Sequence, residues 1–359
     1  MIEQSFSINR QNFLDIARAT GARLSTIPHA RDPSLTTDIA VLGAEEASQI
    51  VLVVSGVHGV ELPAGSVLQQ LWMPHVQNLL RQKPDIKFVF VHALNPYGAE
   101  HGMRTDWDAA GEGNIDPARN FVDFKVATNE ANAGIENALK NADLSCLAAT
   151  KMWVKLLYSA FIVQGKAVFK QGFVRGQYTN PDIPYYGGKA PSLTRLTWDK
   201  ILADFVLAPH VKKIWHLDCH TGDGPHGLLQ LYINNREDAH IYGDAASLIA
   251  PERVKATDHH FAAISGDIID YWGYCHLHEA KVTPITLEFG TSKAAIEGID
   301  VLNAILTRTI LQNRYQDKHP KAAKIIQLMR DAFAPRCPEW ERAVSIQATE
   351  FWEKLKVLI

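Results

Sequence analysis

VLVVSGV, residues 51–57, runs straight into His58-Gly59-Val60-Glu61, and this junction decides how the chain is read. A short, continuous apolar run rich in β-branched residues suits a strand covered on both faces in a parallel sheet. From Pro63 onward, AGSVLQQLWMPHVQNLL carries apolar residues at helical spacing, with Pro74 expected to kink or interrupt the helix. Strand, polar turn and helix therefore follow one another. The alternation recurs: KFVFVHAL (87–94), KIWHLDC (213–219), LLQLYIN (228–234) and VTPITLEF (282–289) read as strands, and TRLTWDKILADFVL (194–207) as a helix. Beyond Lys293 the stretches 294–316, 321–333 and 338–359 are patterned as amphipathic helices expected to pack on the sheet. No linker-like stretch divides the chain, so residues 1–359 are expected to form one α/β domain.

Composition limits the function. Hydrophobic residues make up 47% and charged residues 21%, an ordinary globular mixture that excludes a disordered or collagenous protein. Thirty-six Lys and Arg against 39 Asp and Glu give a net charge of -3, so no chain-wide basic field exists to gather nucleic acid or anionic lipid. Neither is expected as a partner. Cys146, Cys219, Cys275 and Cys337 are widely spaced and form no CxxC pair, which fits a reducing compartment. The N-terminal MIEQSFSINRQNF lacks the pattern of a signal peptide, and no segment approaches roughly 18 continuous apolar residues, so a cytoplasmic location is expected.

Polar residues gather where the strands end. His58 and Glu61 follow 51–57, Asn95 follows 87–94, His220 follows 213–219, and Glu288 closes 282–289. In parallel α/β sheets, binding and catalytic groups collect beyond the carboxyl ends of the strands. Imidazole nitrogen and carboxylate oxygen are normal zinc ligands, and Gly59 eases a turn that lets His58 and Glu61 face one cation. His220, entering Thr221-Gly222-Asp223-Gly224, is the candidate third ligand. His216 and Asp218 share its strand face as supporting groups, while Cys219 points to the core. Two histidines and one acid leave a position open, as in a catalytic site, and coordination lowers the pKa of bound water toward about 7. Such chemistry needs a base, and Glu288, a carboxylate in an apolar strand, is the candidate. The long loop 95–121 adds Arg104, Asp116, Arg119 and Asn120: the arginines suit an anionic substrate, and Asp116 is placed to orient a metal-bound His58.

In this order, HGVE, DPARNF, LDCHTGDGPHG and TLEFGT resemble the zinc carboxypeptidases of the carboxypeptidase A type, and most closely a bacterial branch known mainly as a domain of unknown function. NPYG at 95–98 and QGFVRGQYTNPDIPYYGG at 171–188 are similar to that branch as well, so the resemblance covers about residues 50 to 292. It implies a mixed, mainly parallel eight-stranded sheet between helices, and one zinc ion on His58, Glu61 and His220. It further implies Glu288 as general base and acid, Arg104 at the oxyanion, Arg119 with Asn120 on a terminal carboxylate, and Asp116 behind His58. The family's lid tyrosine falls on Tyr271 or Tyr274, with Tyr271 preferred. Ala118 stands where the family has an asparagine, which removes one carboxylate-gripping hydrogen bond.

The expected activity is thus a zinc-dependent peptidase cleaving an amide next to a free carboxylate. Two alternatives stand beside it: a deacylase of N-acyl amino acids, and a non-catalytic peptide-binding protein on the same fold. A serine hydrolase is disfavoured because no GxSxG elbow is present.

Overall fold

The computed structural model describes residues 2–165, 169, 171–172, 174–234, 238–256, 266–273, 280–293 and 298–359. Its centre is an eight-stranded sheet built from β1 (Arg23–His29), β2 (Asp32–Gly43), β3 (Gln49–Ser55), β4 (Ile86–His92), β5 (Lys213–Pro225), β6 (Leu229–Ile233), β7 (Val254–Ala256) and β8 (Lys281–Ser292). The strand order is β1-β2-β4-β3-β5-β8-β6-β7. The four central strands β4, β3, β5 and β8 run parallel. The flanking pairs β1/β2, β2/β4 and β6/β8 are antiparallel, and β6/β7 is parallel.

Both faces of the sheet are covered, which explains the unbroken apolar runs. Val51, Val53, Phe88, Phe90, Trp215, Leu217, Ile285 and Leu287 pack beneath the helices Leu62–Gln82 and Pro338–Leu358. The alternate residues Ile50, Leu52, Val54, Val89, Val91 and Ile214 meet Trp198, Ile201 and Val206 on the other side. Pro74 does not end its helix, which continues from Leu62 to Gln82. It lies on the solvent-exposed side, where water can take the carbonyl it leaves unpaired, while Trp72, Met73 and Val76 are buried.

β5 and β8 are longer than the sequence reading, because their parallel ladder runs on past the apolar residues. The register pairs His220 with Glu288, Thr221 with Phe289 and Gly222 with Gly290. Those two residues therefore lie inside a strand pair rather than at its end. The C-terminal helices are Ile299–Tyr315, Ala322–Phe333 and Pro338–Leu358, and all contribute to buried clusters.

Candidate active site

Strand register places the first part of the site. On β5, Trp215, Leu217 and Cys219 face one core, so His216, Asp218 and His220 face the other side, and on β8 Glu288 shares that side with His220. β3 delivers the second part. After Ser55 the chain turns through a short 3-10 segment, Gly59–Glu61, that leads into the helix Leu62–Gln82. Gly59 is required there: a Cβ would lie 2.1 Å from the backbone nitrogen of Ala99 and 2.2 Å from the carbonyl carbon of Gly98. That close approach is fixed by the Val60 N–H, which donates to the Met103 carbonyl at 2.9 Å.

His58 Nδ1 lies 3.0 Å from Glu61 Oε1 and 3.2 Å from His220 Nδ1, while His220 Nδ1 lies 3.0 Å from Glu61 Oε2. One ligand atom from each of the three residues falls within 4.8 Å of the others, and all three side chains are buried. The outer nitrogens are engaged elsewhere. His58 Nε2 donates to Asp116 Oδ1 at 2.9 Å, and His220 Nε2 donates to Asp218 Oδ2 at 2.6 Å. With both protons on the outer nitrogens, two imidazole lone pairs and a carboxylate converge on one point. A divalent cation is the group that satisfies such a donor set, and carboxylate-backed imidazoles are the usual way of orienting metal ligands. Thr221 N–H donates to Glu61 Oε2 at 3.0 Å and steadies the third ligand.

Charge is concentrated around this point. Burial alone would raise the Glu61 carboxyl, but His58 and Arg104 hold it well below the usual range. Burial opposes the same shift in Asp116, which His58 and Arg119 hold low. Burial, with Glu61 adding, pushes Glu288 well above its ordinary value, and His220 opposes the shift. Glu288 Oε1 accepts the Asp223 N–H at 2.8 Å. A carboxyl so placed, beside a cation site and at the edge of a cleft, fits proton transfer.

That cleft encloses about 350 Å³ and is lined by His58, Glu61, His220 and Glu288 together with apolar groups such as Phe169, Val174, Leu302 and Phe333. Arg104 and Arg119 both reach it. Arg104 is bonded to Glu61, and its second terminal nitrogen lies 3.0 Å from His58 Nε2. Arg119 is steadied by Nε donating to the Val174 carbonyl at 2.9 Å and Nη1 to the Ala118 carbonyl at 2.8 Å. The loop that carries them is pinned by Asp106, whose Oδ2 accepts from Thr194 N at 2.7 Å and Oγ1 at 2.6 Å.

Two sequence candidates are placed elsewhere. The Asn120 side chain donates to the carbonyls of Gly187 and Ala190, at 2.7 and 3.0 Å, and accepts from Ser192 N at 2.8 Å, so it ties the loop 187–192 rather than facing the cleft. The Tyr271 hydroxyl donates to Asp199 Oδ1 at 2.7 Å and its ring meets Phe121 and Arg195, outside the cleft wall. Tyr274, like His259, His260, His276 and His278, lies outside the described residues. Tyr185 and Tyr232 do line the cleft, and the Tyr185 ring lies 5.8 Å from the Arg104 guanidinium carbon and 5.1 Å from that of Arg119. The Tyr185 backbone adopts φ 60°, an unusual left-handed conformation for a bulky residue. The tyrosine pair in PYYGG was the available signal. Asp223 and Asp267 also line the cleft and were not singled out.

Residues 3–347 match the family described as Protein of unknown function (DUF2817). The chain belongs to that family. No functionally curated protein matches this DUF2817 chain. Similar solved structures include bovine thrombin-activatable fibrinolysis inhibitor in complex with tick carboxypeptidase inhibitor, at 10% identity and TM-score 0.46, covering 99% of this chain and 98% of that one. Another is a Shewanella amazonensis protein assigned to the succinylglutamate desuccinylase/aspartoacylase family, at 16% identity and TM-score 0.35, covering 81% of this chain and 71% of that one.

Proposed function

We propose that the protein is a zinc-dependent hydrolase that cleaves an amide bond next to a free carboxylate. The observation that carries this reading is the convergence of His58 Nδ1, His220 Nδ1 and the Glu61 carboxylate, each imidazole backed by its own aspartate, with Glu288 on the adjoining strand. Two imidazoles and one carboxylate are a donor set suited to zinc, and leave a position open for substrate. When bound, the ion would polarise a carbonyl and acidify water.

The chain's own residues supply the remainder. Glu288 takes the proton of the attacking water and returns it to the departing amine, a task matched to a carboxyl whose pKa burial has raised. Arg104, beside Glu61, faces the carbonyl oxygen as negative charge develops on it. Arg119 holds the substrate carboxylate, and the Tyr185 ring lies close to both guanidinium groups.

A deacylase of N-acyl amino acids is the second reading, and a specific observation favours it. Ala118 offers no side-chain donor and Asn120 is spent on backbone, so this turn grips a carboxylate through Arg119, while the cleft lining includes enough apolar residues for an acyl group. Assaying N-acyl amino acids beside peptides with free or amidated C-termini separates the two. Faster turnover of free-terminus peptides supports the peptidase, faster turnover of acyl amino acids the deacylase, and turnover of neither by zinc-loaded protein overturns both.

A further inference from the structure

We propose that the protein docks on an anionic lipid bilayer through the helix Cys146–Tyr158 and its π-helical continuation Ser159–Val163, which lie in the membrane interface rather than across it. The inference is independent of the hydrolase reading.

One face of this 18-residue run is apolar and open. Leu147, Val154, Leu157, Phe161, Ile162 and Val163 are between 47% and 70% exposed, and Tyr158 is 59% exposed. Seven of the fourteen exposed large hydrophobic residues among those described thus lie within 147–163, a density that isolated surface residues do not reach. The opposite face is packed: Met152 and Leu156 are buried against a cluster that includes Ile135, Leu139, Ile183 and Leu306. The run has the length and hydropathy to cross a bilayer, although Lys151 and Lys155 interrupt its apolar sequence. Crossing would strip Met152 and Leu156 from that cluster, whereas lying flat keeps the cluster and covers the open face.

Charge selects lipid as the occupant. From Leu144 to Pro181 the sequence contains Lys151, Lys155, Lys166, Lys170 and Arg175 and no acidic residue, in a chain whose net charge is -3. Lys151 and Arg175 are exposed. An apolar stripe with exposed aromatic rings inside a one-signed basic stretch is the composition that binds anionic headgroups and the acyl boundary together.

The test is flotation of the full chain with vesicles of phosphatidylcholine alone or mixed with phosphatidylglycerol, at low and high salt. The expected result is at least about tenfold stronger partition onto the mixed vesicles, weakened by salt. Val154→Glu with Ile162→Glu should lose that partition while keeping the wild-type circular dichroism melt. Lys151→Glu with Arg175→Glu, which leaves the apolar face intact, should reduce it about tenfold and provides a second variant if the first fails to fold. Absence of binding to mixed vesicles, equal binding to neutral ones, or binding unchanged in both variants overturns the proposal. So does a wild-type dimer without vesicle binding that dissociates in the Ile162→Glu variant, which would assign the face to a second copy.

Discussion

His220 donates from Nε2 to Oδ2 of Asp218, 2.6 Å away and two residues earlier in the same strand. This contact fixes which nitrogen of His220 faces His58 and Glu61. Asp218→Asn keeps an acceptor but removes the charge that makes the imidazole a stronger donor to a cation. Zinc affinity should fall about tenfold or more, read by competition with a chromogenic chelator. Unchanged affinity would show that the aspartate has no part in metal binding.

In the proposed mechanism Glu288 is separated in role from the metal ligands. Glu288→Gln should retain wild-type zinc stoichiometry while kcat falls about a thousandfold, because a proton acceptor and a charge disappear together. A variant that loses its metal would make Glu288 a ligand instead, and one that keeps full activity would remove it from the chemistry.

Arg119 and Tyr185 act on binding in this account. Arg119→Ala should raise KM for carboxylate-bearing substrates about tenfold or more with a smaller change in kcat, and should not affect amidated ones. Tyr185→Leu, which removes the ring lying against both arginines, should move KM in the same direction. A purely structural tyrosine would lower the melting temperature without this substrate dependence.

Two buried histidines away from the cleft set the acid limit. Burial depresses His92 to about 3 and His216 to about 4, and both are fully inaccessible. Trp272 Nε1 donates to His216 Nδ1 at 2.9 Å, which requires a neutral acceptor. The unfolded chain takes up protons near pH 6.5 and the folded chain does not, so stability is complete above that pH and declines as pH falls toward 4. The slope should be about 1.4 kcal/mol per pH unit for each histidine well below pH 6.5, measured from urea midpoints. His92→Gln, which cannot titrate, should remove roughly half of it. Midpoints that do not change between pH 7 and 5 would contradict this.

The central strands were legible because their residues are buried on both faces and form continuous apolar runs. β1 and β2 were not. β1 is largely exposed and carries Pro28, while β2 mixes Thr36, Thr37 and Asp38 into its course, so neither presents a clean run. β7 has three residues, too few for any period. The proposed ligand set was readable since each member follows a continuous apolar run in the sequence. Tyr185 was not, because its place over the arginines is set by the loop's path and by an unusual backbone angle rather than by any repeat. The resemblance points to Tyr271, whereas its hydroxyl is committed to Asp199.

Metal stoichiometry tests the central claim most directly. The purified chain, stripped with chelator and titrated with zinc, should bind one ion per chain tightly, and His58→Ala and His220→Ala, each shown to be folded by circular dichroism, should bind none at the same concentration. A folded wild-type chain that takes up no divalent ion, or single variants that bind as the wild type does, would contradict it.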